Sequence, residues 1–247
     1  MDKQAIIEHF DKLAHNNRAL IKGEIRGILL YFRGLGYGLI EAQDTCGYEV
    51  CAENGVLFLF PQYNPWCWMN KKTVKYIDAI IDAAIEMNNL ASDIPIGIYG
   101  GSMGGYNTFH YTAKSKHNIV AACANCPCVN MEYECFNGNN NILRTYYDSA
   151  MEDTDDFRTY VRESSPLNMV EKLPKIPYRI AIGHKDTTLY PTLHSIPMIE
   201  RMTAAGHDVL RVDYPEMAHC NYSNEERIKE HKWVVEKIVE GTNMRTF

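Results

Sequence analysis

Several things are missing from this sequence, and each absence removes a class of protein. No apolar run approaches the roughly 18 residues that a membrane-crossing helix needs. Met1-Asp2-Lys3-Gln4 leads into an amphipathic segment rather than the apolar core of a signal peptide. Positive charge is not in excess: 31 acidic residues against 25 Lys and Arg leave a net charge of −6. That balance argues against nucleic acid or an anionic membrane as a partner. Internal repeats and low-complexity linkers are absent too, so the 247 residues are expected to form one α/β domain spanning 1–247. On these grounds the chain reads as cytoplasmic. A secreted chain trimmed of its signal reads the same way.

A zinc-finger spacing is also lacking. There are eight cysteines, and Cys123-x-x-Cys126-x-Cys128 resembles half of a metal or redox motif. Cys123 ends an apolar strand-like run, however, and no second Cys/His pair follows at the required spacing. The cysteines are therefore expected to be small buried thiols, with no metal and no cofactor. A disulfide through Cys126 or Cys128 remains an open alternative.

What is present is organised around Gly100-Gly101-Ser102-Met103-Gly104. It follows an apolar strand-type run, Ile94 to Ile98, and precedes a segment from Tyr106 that can continue as a helix. Gly100, Ser102 and Gly104 satisfy G-x-S-x-G, the nucleophile elbow. A strand that turns at once into a helix strains the central residue, and side chains two positions away on either side would collide. The turn exposes the serine hydroxyl and aims the Met103 N–H at a developing oxyanion. Downstream, a strand pattern over Tyr178–Gly183 is followed by His184-Lys185-Asp186. Another over Val209–Tyr214 is followed by Pro215-Glu216-Met217-Ala218-His219.

Ser102, Asp186 and His219 run in the chain order of α/β-hydrolase triads. On these residues the chain resembles α/β-hydrolase serine esterases of the prolyl-oligopeptidase-like and acetyl-xylan-esterase-like branch, over roughly residues 25–240. Gly183-His184-Lys185-Asp186 is similar to that branch's G-x-x-D acid loop, and Ala218-His219 to its terminal histidine. The resemblance implies an α/β-hydrolase fold: a mostly parallel sheet of about six strands with helices on both faces and a lid insertion. It also implies a cofactor-free acyl-enzyme mechanism on a small-molecule ester, with Ser102 as nucleophile, His219 as base and Asp186 orienting it. Asp148 and Glu132 are weaker candidates for the acid.

The same resemblance directs attention to Arg33-Gly34-Leu35-Gly36-Tyr37-Gly38, after the first strong strand pattern. In the family a histidine- and glycine-rich loop there supplies the second oxyanion donor. Here Arg33 replaces the histidine and Leu35 interrupts the glycines. The donor is assigned to Leu35 or Gly34. Arg33 either anchors the loop or meets an anionic substrate group. Tyr37 is assigned to the substrate pocket.

Other stretches carry weaker signals. Residues 5–21 have helical spacing. Only about 24 residues precede the first strong strand, which leaves a sheet edge that oligomerisation is one way to cover. The loop Pro61–Met69 holds Trp66 and Trp68 and leaves the carboxyl end of an apolar strand, where open α/β sheets bind ligands. It reads as a pocket wall, against the alternative of aromatic packing onto the domain. His184, in the acid loop, is a further pocket candidate. The remaining histidines read as surface or packing residues. Residues 125–175 contain no strand signal and form the expected lid. A peptidase is the competing reading. It lacks support from any propeller repeat or gating domain in this sequence. A non-catalytic binding module is a second alternative, since fold does not fix function.

Overall fold

The structure, a computed structural model, describes residues 3–36 and 45–243, with the backbone alone at positions 45 and 46. Two short helices, α1 (Lys3–Glu8) and α2 (Phe10–Leu13), lead into strand β1 (Ala14–Asn16). Then come β2 (Gly27–Phe32), α3 (Thr45–Glu53), β3 (Val56–Pro61) and α4 (Lys71–Met87). Next are β4 (Ile96–Gly101), α5 (Met103–Lys114) and β5 (Ile119–Asn125). The segment after β5 folds as α6 (Met131–Phe136), α7 (Asn140–Ala150) and α8 (Phe157–Ser164). The chain ends with β6 (Tyr178–Gly183), α9 (Ser195–Ala204), β7 (Val209–Tyr214) and α10 (Asn224–Asn243).

The described strands form one seven-stranded sheet in the order β1-β3-β2-β4-β5-β6-β7. All pairs are parallel except β1 with β3. The central strands are apolar along their whole length because both faces are covered. In β3, for example, every residue from Val56 to Pro61 is buried. One face packs on α3 and α10, where Leu29, Val56 and Phe58 meet Val234, Val235 and Ile238. The other face packs on α4 and α5, where Ile28, Leu30 and Ile98 meet Ile77, Ile81, Tyr106 and Tyr111. A neighbouring cluster joins Ile180 and Ile182 of β6 to Phe109 of α5 and Met198 and Met202 of α9.

Local signals place the helix ends. Asn70 caps α4 by accepting from the Thr73 N–H at 2.9 Å. Ser223 and Glu226 form a reciprocal capping box at the start of α10, with bonds of 3.2 and 3.3 Å. Strand order reverses between β2, whose chain continues outward to β3, and β4, which returns to the other side of β2. That switch point, at the carboxyl ends of parallel strands, is where ligands bind in such sheets.

The sheet differs from the expected six strands by the addition of β1. Residues 5–21 are not one helix. They contain two short helices and a three-residue strand that pairs antiparallel with β3, with Ala14 opposite Pro61 and Asn16 opposite Leu59. Asn17 completes the edge. Its buried side chain accepts from the Phe58 N–H at 2.8 Å and donates to the Tyr48 and Val56 carbonyls. The edge that the sequence left open on the β3 side is thus covered from within the chain. Residues 45–53 form α3.

Candidate active site

The elbow is built as its glycines predict. Ser102 lies between β4 and α5 with φ +57° and ψ −121°, a strained conformation for a non-glycine residue. A Cβ on Gly100 would strike the backbone of Gly104, and one on Gly104 would strike the Phe32 and Arg33 carbonyls, the latter at 2.9 Å. The strain is held by hydrogen bonds. Ser102 N–H donates to the Asn125 carbonyl at 2.9 Å, and the Ser102 carbonyl accepts from Gly105, Cys128 and Tyr106 at 3.0, 3.1 and 3.2 Å.

Three loops from three strand ends meet here. Ser102 Oγ lies 2.9 Å from His219 Nε2. His219 Nδ1 lies 2.7 Å from Asp186 Oδ2. Asp186 Oδ1 accepts from the Thr188 and Leu189 N–H groups at 2.8 and 2.9 Å. Asp186 is 3% exposed. Burial pushes its carboxyl up. The His219 hydrogen bond and the two loop N–H groups outweigh burial, so its pKa falls below the ordinary value. An ionised, fixed carboxylate holds the ring with Nδ1 protonated and the Nε2 lone pair toward Ser102. The weaker acid candidates are elsewhere: Asp148 is exposed on α7, and Glu132 accepts from Asn168 at 3.1 Å.

Met103 opens α5, so its N–H belongs to the first helical turn, whose amides have no intrahelical acceptor. The Arg33–Gly36 loop lies against the elbow through the approach of Gly104 to the Phe32 and Arg33 carbonyls. Gly36, at φ +72°, gives its N–H to the Pro65 carbonyl at 3.0 Å. Gly34 and Leu35 are left as the loop's candidate oxyanion donors. Arg33 proves to be an anchor. It is 2% exposed, donates to Gln62 Oε1 at 2.8 Å, and lies over the rings of Phe60 and Tyr63. It is not placed to meet an anionic substrate group.

The expected pocket residues separate. Trp66 is half exposed, and its ring lies over Gly36, where a Cβ would come within 2.7 Å of it. It stands on the rim of the candidate oxyanion loop. Trp68 does not line a pocket. It is 1% exposed, stacks edge-on with Tyr106 and Tyr146, and donates Nε1–H to Thr145 Oγ1 at 2.9 Å. His184 is not at the triad either. Gly183 and Asp186 close a turn that sends it the other way, onto Asp213 of the edge strand at 2.6 Å. Tyr37 lies outside the described residues.

The segment after β5 is pinned beside the site. Buried His194 accepts through Nδ1 from the Val129 and Asn130 N–H groups and meets Glu134 through Nε2 at 2.9 Å. No spacing in the sequence points to this pair, which lies 60 positions apart. The cysteine triplet does not converge. Cys123 faces Glu230, Cys128 faces Met131, and Cys126 turns toward Cys220 beside His219.

A hydrogen-bonded serine, histidine and aspartate on this sheet form the arrangement found in serine hydrolases of α/β-hydrolase fold. The profile of the prolyl oligopeptidase family matches residues 62–240, more than half of the chain, and the chain belongs to that family. No curated protein sequence matches it. Among solved structures it is similar to an acylaminoacyl peptidase from Pyrococcus horikoshii. That match has TM-score 0.68 and 16% identity, and covers 87% of this chain but only 37% of the peptidase. It is also similar to esterase B from Lactobacillus rhamnosis, with TM-score 0.67 and 12% identity over 92% of this chain and 80% of the esterase. An S-formylglutathione hydrolase from Agrobacterium tumefaciens matches with TM-score 0.66 and 16% identity over 87% and 86%. Among the described residues no helix is long and apolar enough to cross a membrane.

Proposed function

We propose that the chain cleaves carboxylic esters of small molecules through an acyl-enzyme on Ser102. The observation that carries this reading is the unbroken hydrogen-bond chain from Ser102 Oγ through His219 to Asp186. His219 takes the hydroxyl proton as Ser102 attacks the ester carbonyl. The tetrahedral oxyanion is received by the Met103 N–H and one of Gly34 or Leu35, each donor contributing about 3 kcal/mol. His219 then gives its proton to the leaving alcohol. Water, activated by the same ring, releases the acid. These steps use only side chains and backbone amides of the chain.

Trp66 supports a ring-bearing substrate. A half-exposed indole beside the oxyanion loop offers an apolar face on which a sugar or a phenolic ring can stack. Acetylated sugars and feruloyl esters are the first compounds to try. The helices of residues 131–164 form the lid in this reading and shape the far side of the pocket. The peptidase reading is favoured by family membership and by similarity to the acylaminoacyl peptidase. A panel decides between them: p-nitrophenyl acetate, methyl ferulate and acetylated xylose against aminoacyl and acylaminoacyl p-nitroanilides. Fluorophosphonate labelling by intact mass verifies Ser102, with Ser102→Ala as control. Ester turnover lost in Ser102→Ala supports the proposal. Faster anilide turnover replaces it with a peptidase, and activity retained in Ser102→Ala removes both.

A further inference from the structure

We propose that Cys126, Cys220 and His219 form a binding site for a thiophilic divalent cation, Zn2+ by its chemistry, and that the bound ion switches the hydrolase off. The two thiol sulfurs and an imidazole nitrogen lie within 4.8 Å of one another, and no other such group of three donors occurs among the described residues. Two thiolates and an imidazole are a donor set that suits Zn2+, with a fourth tetrahedral position left for water.

The site is assembled from loops that the catalytic fold already brings together. Cys126 follows β5 directly, at φ +41°, with its N–H on the Ala181 carbonyl at 3.0 Å. Cys220 follows His219 directly, at φ +52°. Its thiol donates to the Asn125 carbonyl at 3.4 Å, the same carbonyl that receives the Ser102 N–H. A Cβ on Gly101 would lie 3.2 Å from the Cys220 sulfur, so that sulfur packs against the elbow. Left-handed backbone is uncommon for cysteine, and it occurs at both of these positions. The other cysteines of the triplet are engaged elsewhere: Cys123 faces Glu230, and Cys128 faces Met131.

The ring explains why binding and turnover exclude each other. Nδ1 is committed to Asp186, an arrangement that also strengthens a metal-bound histidine. The nitrogen left for the metal is Nε2, the one that must accept the Ser102 proton, and the Ser102 hydroxyl 2.9 Å from it has to turn aside for the ion to bind. Binding releases one proton from each thiol and leaves two thiolates and a neutral ring on the cation. No electrons move.

The inhibition arm rests on the proposed role of His219, whereas the binding arm does not. Both use the full chain, reduced, metal-free and kept from air. Co2+ is titrated first as a spectroscopic probe, then displaced by Zn2+. One equivalent of Co2+ should produce a thiolate-to-cobalt charge-transfer band, absent in Cys126→Ser and Cys220→Ser. Zn2+ should slow fluorophosphonate labelling of Ser102, with recovery on adding EDTA. Each variant, compared with its own metal-free rate, should need about tenfold more Zn2+ or beyond for the same effect. A folded wild-type chain without the thiolate band overturns the site. Equal zinc sensitivity in wild type and both variants overturns the switch. A chain that shows the band but never labels keeps the site and refutes the hydrolase reading instead.

Discussion

Asp186→Asn is the substitution that probes the site most sharply. The carboxylate does two things at once: Oδ1 holds the Thr188 and Leu189 N–H groups, and Oδ2 holds the His219 ring. Asparagine has one oxygen for both tasks. Keeping the oxygen on the two loop N–H groups turns the amide NH2 toward Nδ1, where a donor meets a donor. The ring escapes by moving its proton to Nε2, and the base facing Ser102 is lost. The volume is unchanged and the loop keeps its two bonds, so folding should survive. The expected result is a kcat lower by about 10⁴-fold with KM little changed. That corresponds to about 5 kcal/mol of transition-state stabilisation. Initial rates on p-nitrophenyl acetate and the rate of fluorophosphonate adduct formation should fall together, while the melting temperature stays within a few degrees. A folded Asp186→Asn chain that turns over within about tenfold of wild type, 1.4 kcal/mol, would refute the assignment of Asp186 as the orienting acid.

Two further predictions test the surroundings. Glu230 is buried against Arg179 at 3.7 Å and accepts from the Tyr222 hydroxyl at 3.2 Å; that hydroxyl also meets Tyr99. Burial pushes its carboxyl from an ordinary 4.5 to about 7. The folded chain therefore binds this proton more tightly than the unfolded chain, so its contribution is complete below 4.5 and is lost as pH rises through 7. Glu230→Gln should gain stability relative to wild type between pH 5 and pH 8, by roughly 3 kcal/mol at most. Urea unfolding at the two pH values checks this, and a pH-independent difference would sink it. Gly104→Ala should push the elbow away from the Phe32 and Arg33 carbonyls, costing about 1–3 kcal/mol and most of the activity. Unchanged melting and unchanged rates would show that the loop does not rest on the elbow.

Much of the candidate site was legible because its pattern is written at fixed local spacings. The elbow needs glycine two residues before and after the serine. The acid and the histidine must each follow a strand, and they do. The strand runs were legible for the same reason, since buried parallel strands are continuously apolar. What escaped depends on direction rather than spacing. Trp66 and Trp68 sit two residues apart in the same loop, yet one is half exposed and the other is in the core. Nothing in the composition of the loop says which ring turns inward. His184 and Asp186 are likewise two apart, and the turn between them sends one to Asp213 and the other to His219. β1 was missed because three residues are too few to show a period. It is held by Asn17, whose side chain gives and receives bonds that a longer strand would have made with its backbone.

The cysteines show the same limit from the other side. Their suggestive spacing, Cys123-x-x-Cys126-x-Cys128, leads to no shared site, because β5 ends at Asn125 and the chain then leaves the sheet. The sulfur that does approach Cys126 comes from Cys220, 94 positions away in sequence. The two meet for the reason the triad meets. In a parallel sheet every strand delivers its carboxyl end to the same rim, so loops after β4, β5, β6 and β7 converge on one small region. A serine, a histidine and an aspartate brought together there acquire as neighbours whatever else those loops carry. In this chain that is a pair of thiols beside the base. Chemistry at His219 is therefore answerable to Cys126 and Cys220 as well as to Asp186, and a change at either cysteine that alters the response to zinc, with Ser102 and Asp186 untouched, would show it directly.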